Sequence, residues 1–221
     1  MRAVILDVDG TLVDSNDAHA RAWVDALAEH GHRVAFADVR RLIGMGGDKL
    51  LPKVTGLSDE SPEGRRISER RSAIFIERYL PALRPTPGAR DLLERMRRDG
   101  LTLVVASSAK ADELGPLLEI AGAKHLIEET TSSDDAERSK PDPDIVRAAL
   151  EKTGCPPGDV LMLGDTPYDV EAATRAGVGT IALRCGGWTD DRLRGAVAIY
   201  DDPADLLARW DTSLLARPGL T

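Results

Sequence analysis

Residues 3–11, Ala3-Val4-Ile5-Leu6-Asp7-Val8-Asp9-Gly10-Thr11, decide the fold of this chain. The apolar run at 3–6 does not alternate, which predicts a strand buried on both faces, as in a parallel sheet. Asp7 and Asp9 follow where this strand ends, and their side chains lean to the same side. In an open α/β sheet, ligands bind beyond the carboxyl ends of the strands. The run predicts an acidic site there, although a simple Asp-Gly turn fits the same residues.

Apolar runs and helical patterns alternate through the rest of the chain. Strands are predicted at 101–106, 160–163, 180–183 and 196–199, and helices at 88–99, 142–153 and 168–176. Such alternation favours a parallel sheet with helices on both faces. We therefore expect an α/β fold with a Rossmann-like parallel sheet core.

Residues 16–82 interrupt this alternation. They contain no strand pattern, but helical patterns at 17–30 and 62–80, separated by glycine and proline. We interpret them as a small α-helical cap domain inserted after the first strand. The predicted core then consists of residues 1–15 and 83–221.

The composition restricts the class of protein. The chain is 42% hydrophobic and 30% charged, which is ordinary for a globular protein, and its net charge of -8 argues against nucleic acid as a partner. The apolar run before Asp7 is too short for a signal peptide, and no later stretch approaches membrane-spanning length. We expect no membrane association, a cytoplasmic location, free thiols at Cys155 and Cys185, and a monomer or weak homodimer.

The residues of the opening run have the chemistry of phosphoryl transfer. Two adjacent carboxylates suit a hard cation such as Mg²⁺, which prefers oxygen ligands. They also allow one carboxylate to attack phosphorus while the other moves a proton. Gly10 lets the backbone turn closely past a ligand, and Thr11 offers a hydroxyl.

Three further candidates, Ser107, Ser108 and Lys140, lie in later loops. Ser107 and Ser108 follow the strand at 101–106, where a hydroxyl and free amides can bind phosphate oxygens, although serine also commonly caps helices. Lys140 lies in Ser139-Lys140-Pro141-Asp142-Pro143-Asp144, and its compact charge suits a phosphate or an attacking carboxylate. An isolated lysine is usually solvated, but flanking prolines fix the backbone here.

Asp165 and Asp169 follow the strand at 160–163, in Gly164-Asp165-Thr166-Pro167-Tyr168-Asp169. Asp165 occupies the same kind of strand end as Asp7, so the two can share one cation. Asp169 lies near the start of a helix, where an acid also acts as a simple cap. All these candidates fall at one edge of the predicted sheet, and together they supply the groups that phosphoryl transfer requires.

These motifs, in this order and spacing, resemble the haloacid dehalogenase superfamily, in particular its cap-bearing phosphatases of the phosphoglycolate phosphatase and β-phosphoglucomutase-like type. The resemblance implies that Asp7 attacks phosphorus and forms an aspartyl-phosphate, while Asp9 protonates the leaving oxygen and then activates water. It implies Mg²⁺ held by Asp7, the backbone carbonyl of Asp9, and Asp165, with Asp169 in support. Dehalogenases typically lack the second aspartate, so its presence favours phosphate chemistry. The groups implied to bind the phosphate are Thr11, Ser107, Ser108 and Lys140.

The cap holds the remaining candidates. His19 and Trp23 share a helix face, and His19-Ala20-Arg21-Ala22-Trp23 resembles the β-phosphoglucomutase helix whose histidine assists proton transfer; two residues lining the cap–core seam fit equally. The mutases carry a cap-loop lysine, which Leu42-Ile43-Gly44-Met45-Gly46-Gly47 lacks, and this favours hydrolysis. Gly46, Gly47 and Lys49 resemble a substrate-specificity loop, although a helix-connecting turn has the same composition.

The expected function is Mg²⁺-dependent hydrolysis of a small phosphorylated metabolite, of the phosphoglycolate or sugar-phosphate class. One of the cap arginines could reach a second anionic group of the substrate, while most form a solvated face. A sugar-phosphate mutase is the nearest alternative. A non-catalytic phospho-receiver is a more distant one, because such modules lack both a cap and an acid at the position of Asp9. The arginines concerned are Arg65, Arg66, Arg70 and Arg71.

Overall fold

The computed structural model describes residues 1–135 and 137–216. Within these ranges one parallel sheet is formed by β1 (Ala3–Leu6), β2 (Thr102–Ala106), β3 (Glu129–Thr131), β4 (Val160–Gly164), β5 (Gly179–Leu183) and β6 (Ala198–Tyr200). The order across the sheet is β3-β2-β1-β4-β5-β6. The order reverses between β1 and β4, which is where open α/β sheets bind ligands. The expected Rossmann-like α/β fold is confirmed.

The helices fall into two groups along the chain. Between β1 and β2 come first α1 (Asn16–Glu29), α2 (Phe36–Arg40), α3 (Gly47–Thr55) and α4 (Pro62–Ile74), which continues as a π-helical turn at Phe75–Tyr79. The second group is α5 (Ala89–Arg98), α6 (Ala111–Ile120), α7 (Asp144–Thr153), α8 (Pro167–Arg175) and α9 (Pro203–Ala208). Residues 16–82, all of them described, contribute no strand to the sheet. Their status as a separate cap domain stays a prediction, because one buried apolar cluster extends from the sheet into α1–α4.

The apolar run of β1 is buried on both faces of the sheet. Val4 and Leu6 pack in the cluster that contains the apolar side chains of α5, whereas Ala3 and Ile5 pack against α7 and α8. None of these four side chains is more than 1% exposed. Full burial of a leucine or isoleucine stabilises a fold by roughly 1.5–3 kcal/mol. This burial fixes the strand from which the acidic loop departs.

The strand register brings the strand ends together. Leu6 of β1 pairs with Val105 of β2 and with Leu163 of β4. Asp7 extends this ladder by one bond, since its backbone N–H donates to the Leu163 carbonyl at 2.9 Å. The residues that follow the three strands therefore emerge side by side at one edge.

Several elements differ from the sequence prediction. β3 and the helices α2, α3, α6 and α9 were not predicted, and β6 covers Ala198–Tyr200 instead of 196–199. β3 is a three-residue strand, Glu-Thr-Thr, with two exposed residues, so it lacks the apolar run that marks the central strands. Cys155 and Cys185 are free thiols, as expected. In the described part of the chain, no helix combines the length and the apolarity that crossing a membrane requires.

Candidate active site

Asp7 lies at the centre of the strand-end cluster. It follows β1 directly, is only 6% exposed, and lines a pocket with Asp9, His19, Arg71 and others, which we call the Asp7 pocket. Its Oδ2 accepts a hydrogen bond of 3.2 Å from the Thr11 hydroxyl. The buried carboxylate of Asp7 therefore faces a cavity, and Thr11 of the following loop fixes it by a hydrogen bond.

Lys140 lies between two of the carboxylates. Its ammonium is 2.6 Å from Asp7 Oδ1 and 2.8 Å from Asp169 Oδ1, and it donates to the Ala106 carbonyl at 2.8 Å. Burial alone would lower the pKa of Lys140, but Asp169 and Asp7 together raise it well above its usual value. The lysine is thus a permanently charged contact for Asp7.

Asp7, Asp165 and Asp169 form a buried carboxylate cluster whose ligand oxygens lie within 4.8 Å of one another. Asp165 accepts hydrogen bonds from the Thr11 hydroxyl at 3.0 Å and from the Asn16 amide at 2.7 Å. Burial, aided by the charge of Asp169, raises the pKa of Asp165 to about 7. Burial also raises the pKa of Asp7, although Lys140 opposes this. One ammonium does not balance three buried carboxylates, so an oxygen-preferring divalent cation fits this cluster.

Gly10 is required for the close approach of the loop to this cluster. Its φ is +79°, in the left-handed region that glycine adopts without strain. A Cβ at this position would lie 2.1 Å from the Asn16 amide nitrogen and 2.2 Å from Asp165 Oδ2. Any larger residue would therefore displace the groups that position Asp165.

The metal-free protein is expected to lose stability as the pH rises from about 4 to about 7, because folded Asp165 holds its proton across this window while the unfolded chain releases it. The raised pKa of Asp7 adds a slope of the same sign. Urea unfolding in the presence of a chelator measures the slope. A saturating divalent cation is expected to remove the slope, since it binds the ionised form. The Asp165→Asn variant is the control and is expected to show a flatter profile; an equal slope in that variant would refute the assignment.

Asp9 has a different environment. Its Oδ1 is 2.6 Å from His19 Nε2 and accepts a hydrogen bond of 2.5 Å from the Ser15 hydroxyl. Burial alone would raise the pKa of Asp9, but the charge and hydrogen bond of His19, with that of Ser15, bring it below the usual value. The His19 ring stacks on Phe75 with centroids 3.9 Å apart. Asp9 is thus an ionised carboxylate held by a fixed histidine, beside a second carboxyl whose pKa is raised.

The two predicted phosphate-binding serines differ in their contacts. Ser107 is fully buried, and its hydroxyl accepts a hydrogen bond of 3.0 Å from the Ala109 amide. Ser108 lines the Asp7 pocket. Its hydroxyl oxygen is shielded from solvent and has no hydrogen-bond partner in residues 1–135 and 137–216. Ser107 therefore shapes the loop, while Ser108 presents a free polar group.

The predicted specificity loop lies against the loop around Lys140. The Gly46 amide donates to the Ser139 hydroxyl at 3.1 Å, and a Cβ on Gly46 would come within 2.4 Å of that side chain. A Cβ on Gly47 would come within 3.2 Å of the Trp23 ring. Lys49 pairs with Asp142 at 2.7 Å and does not line the Asp7 pocket. Gly46 and Lys49 therefore connect the start of α3 to the loop beside Lys140. A direct contact of Gly46, Gly47 or Lys49 with substrate stays a prediction.

Sequence reasoning missed several residues that contact the site. Ser15 and Asn16 hold Asp9 and Asp165, and their only signal was their position a few residues after Thr11. The sequence did not distinguish Arg71 from the other three cap arginines, yet the Arg71 side chain is only 14% exposed. It lies 2.5 Å from Oε1 of the fully buried Glu113, in α6. No sequence pattern marked Glu113, because it falls in a helix that was not predicted.

The chain is similar in sequence and in fold to known proteins. The family model of haloacid dehalogenase-like hydrolases matches residues 1–177. A phosphoglycolate phosphatase of Rhodospirillum rubrum is 32% identical over 214 residues, covering 93% of this chain and 89% of that protein. A solved hydrolase from Pseudomonas syringae has 32% identity and a TM-score of 0.89, over 96% of this chain and 99% of that chain. A putative β-phosphoglucomutase from Bacteroides vulgatus has 25% identity and a TM-score of 0.84, over 96% and 88%.

Proposed function

The chain belongs to the haloacid dehalogenase-like hydrolase family, and from that premise we propose that it hydrolyses a small phosphate monoester through an aspartyl-phosphate on Asp7. The observation that carries the proposal is the Asp7 pocket itself. A buried carboxylate in contact with Lys140 faces a cavity, and a second carboxylate, Asp9, lines the same cavity. A nucleophile and a proton carrier placed together are the groups that a two-step displacement needs.

In the first step, a carboxylate oxygen of Asp7 attacks phosphorus and the bond from phosphorus to the ester oxygen breaks. The proton that this leaving oxygen needs comes from the carboxyl of Asp9. Asp9 is ionised in the free protein, but the negative charge of a bound phosphate raises its pKa and favours its protonated form. We infer that the Ser108 hydroxyl, which lines the pocket, donates a hydrogen bond to the transferring group. Lys140, whose ammonium already contacts Asp7, Asp169 and the Ala106 carbonyl, contributes its positive charge beside this group.

In the second step, the now ionised Asp9 takes a proton from water, and the water oxygen attacks phosphorus. The bond between phosphorus and Asp7 breaks, which releases phosphate and restores both carboxyl groups. The contact with His19 holds Asp9 in one orientation throughout, because the ring is fixed between Asp9 and Phe75. The pair therefore acts as acid and then as base without a change of rotamer.

Mg²⁺ is the cofactor that we propose for the carboxylate cluster. Asp7, Asp165 and Asp169 supply only oxygen ligands. Burial first, and the neighbouring carboxylates second, raise the pKa values of Asp7 and Asp165, so a cation bound there would stabilise their ionised forms. Such ligands suit Mg²⁺, which prefers carboxylates and retains waters. When bound, the ion supplies positive charge that neutralises the phosphate and the attacking carboxylate. The backbone carbonyl of Asp9 is a further proposed ligand.

Hydrolysis is favoured over phosphoryl transfer to a second sugar. Ile43, Gly44 and Met45 of the cap loop line the Asp7 pocket and offer no cation there. The next lysine, Lys49, is paired with Asp142 outside it. A mutase must hold a doubly phosphorylated intermediate, and this loop supplies no charge for its second phosphate.

We expect phosphate release from a panel of phosphorylated small metabolites when Mg²⁺ is present, and none after chelation, because the cluster then repels the phosphate. Phosphate assay of the purified protein with Mg²⁺, with EDTA, and with Mg²⁺ restored makes this comparison. A rate that EDTA leaves unchanged would contradict the metal assignment. Isomerised sugar phosphate in place of free phosphate, dependent on a bisphosphate activator, would identify a mutase.

The cellular setting is a proposal of the same kind. Two free thiols are typical of a reducing compartment, which supports action in the cytoplasm. A monomer or weak homodimer would act there on a diffusible phosphorylated metabolite. Light scattering at two protein concentrations distinguishes these states from a stable oligomer.

A further inference from the structure

A second cavity opens beside the Asp7 pocket and has the position of a leaving-group site. It shares Trp23, Arg71 and Ser108 with the Asp7 pocket and has a volume of about 390 Å³. We call it the outer cavity. Ligand pockets for small molecules occupy roughly 300–1,000 Å³. A two-carbon acid such as glycolate would fill a small part of such a space, whereas a longer alcohol would fill it better.

The charges that line the outer cavity are unfavourable for a second negative group. Its carboxylates are Asp48, Asp59, Glu60, Glu69 and Glu137. Its cations are Arg65, Arg71 and Lys110. Asp48 and Asp59 are half-buried, whereas Glu60, Glu69 and Glu137 are exposed. The excess of carboxylates disfavours an additional carboxylate or phosphate on the substrate, since like charges repel.

Arg71 is the cation closest to the reaction, because it alone of the three also lines the Asp7 pocket. The positive charge of Arg71 is compensated by the carboxylate of Glu113. Glu113, which is fully buried, lies with Oε1 2.5 Å from Arg71 Nη1 and accepts a 2.7 Å hydrogen bond from the Ser72 hydroxyl. Arg71 also lies over the Trp23 and Phe75 rings, at 5.4 and 5.8 Å from their centroids. Arg71 and Glu113 therefore form a fixed pair with little net charge in the wall of the cavity.

Hydrogen-bonding groups without a partner remain on the same wall. The hydroxyl oxygens of Ser68 and Ser108, and Nε of Arg71, are shielded from solvent and have no hydrogen-bond partner among the described residues. Buried polar groups normally have partners, so these favour a ligand that brings hydrogen-bonding oxygens of its own. A neutral hydroxyl can satisfy each of them without adding charge.

We propose that Glu113 is a specificity-determining residue: by neutralising Arg71, it makes the outer cavity select phosphate esters of uncharged, hydroxyl-bearing alcohols over phosphorylated carboxylic acids. This inference rests on the proposed function and defines its substrate class. Glu113, a residue of α6, would thereby set the net charge that Arg71 of α4 brings to the cavity wall.

The first test uses two esters that differ in one group. Ethylene glycol monophosphate carries a terminal hydroxymethyl group where 2-phosphoglycolate carries a carboxylate. We expect the wild-type protein with Mg²⁺ to show a kcat/KM at least about tenfold higher for the hydroxyl ester, the size of effect that one charged contact produces. A preference for 2-phosphoglycolate would overturn the proposal, and this comparison needs no variant.

The second test changes the charge. Glu113→Gln keeps the shape of the side chain but frees the charge of Arg71, so we expect the ratio of the two kcat/KM values to shift about tenfold or more toward 2-phosphoglycolate. The double variant Arg71→Met with Glu113→Gln is expected to return to the wild-type ratio, because both charges are gone. Glu119→Gln is the matched control in the same helix, where Glu119 is exposed and paired with Lys124. An unchanged ratio in folded Glu113→Gln would overturn the proposal.

Binding separates this inference from the proposed function. Calorimetric titration of the Asp7→Asn variant with each ester and Mg²⁺ needs no turnover, and we expect tighter binding of the hydroxyl ester. If no ester, including p-nitrophenyl phosphate, is hydrolysed while this binding preference holds, the proposed function fails and the inference stands. If esters are hydrolysed and 2-phosphoglycolate binds more tightly, the inference fails and the proposed function stands.

Discussion

Replacement of Asp7 by asparagine is expected to abolish turnover, with kcat lower by on the order of 10⁴-fold or more, the scale seen when a covalent nucleophile is removed. The amide has the shape of the carboxylate but cannot attack phosphorus. Folding should survive, because the change removes one of three crowded carboxylates and leaves Lys140 paired with Asp169. Steady-state phosphate release and thermal unfolding of the same preparation measure both effects.

Asp14→Asn is the matched control for this variant. Asp14 lies in the same loop after β1 but is exposed, and it does not line the Asp7 pocket. We expect its kcat to stay within about twofold of the wild type, as is usual for surface changes away from a site. Substantial turnover by Asp7→Asn would contradict the nucleophile assignment, and a loss of folding would show as a lower unfolding temperature.

Replacement of Lys140 by methionine is expected to damage both stability and catalysis. The side chain is 1% exposed and touches Asp7 and Asp169, so its removal leaves two buried carboxylates uncompensated. Breaking a buried ion pair costs roughly 3–5 kcal/mol, which corresponds to a decrease of about 6–20 °C in the unfolding temperature for a chain of this size. The rate should fall by about 10²–10³-fold, as when one electrostatic contact to the transition state is lost.

Mg²⁺ is expected to restore part of the stability of this variant but not its rate, since a cation can neutralise the carboxylates without reproducing the hydrogen bonds of the ammonium. Lys124→Met is the control, because Lys124 forms an exposed pair with Glu119, and it should change the unfolding temperature by little. A Lys140→Met protein as stable as the Lys124 control, with chelator present, would contradict the role assigned to Lys140.

The centre of the site was predictable because it depends on short-range signals. Asp7 and Asp165 each follow a run of apolar residues, and parallel strands place their carboxyl ends at one edge whatever their order. Lys140 was less obvious, since an isolated lysine is usually solvated. It became a candidate through its flanking prolines, and the structure places it in contact with Asp7.

The wall of the outer cavity was not predictable from local patterns. Four arginines in α4 have the same sequence signal. Yet the Arg70 side chain is 33% exposed and pairs with Glu29, while the Arg71 side chain is 14% exposed and pairs with the fully buried Glu113. Which of them turns inward depends on what packs against α4, and that is a contact between positions 42 residues apart. The same reason explains why β3 was missed: a short polar edge strand forms because β2 is beside it, and its own residues do not require it.

The measurement that tests the central claim most directly is identification of the phosphorylated residue during turnover. Acid quenching followed by borohydride reduction converts an aspartyl-phosphate to homoserine, which peptide mass spectrometry locates. We predict homoserine at position 7 in protein quenched with substrate and Mg²⁺, and none in the Asp7→Asn variant. Homoserine at another aspartate, or turnover with none at position 7 while a chemically prepared acyl phosphate is detected by the same procedure, would contradict it.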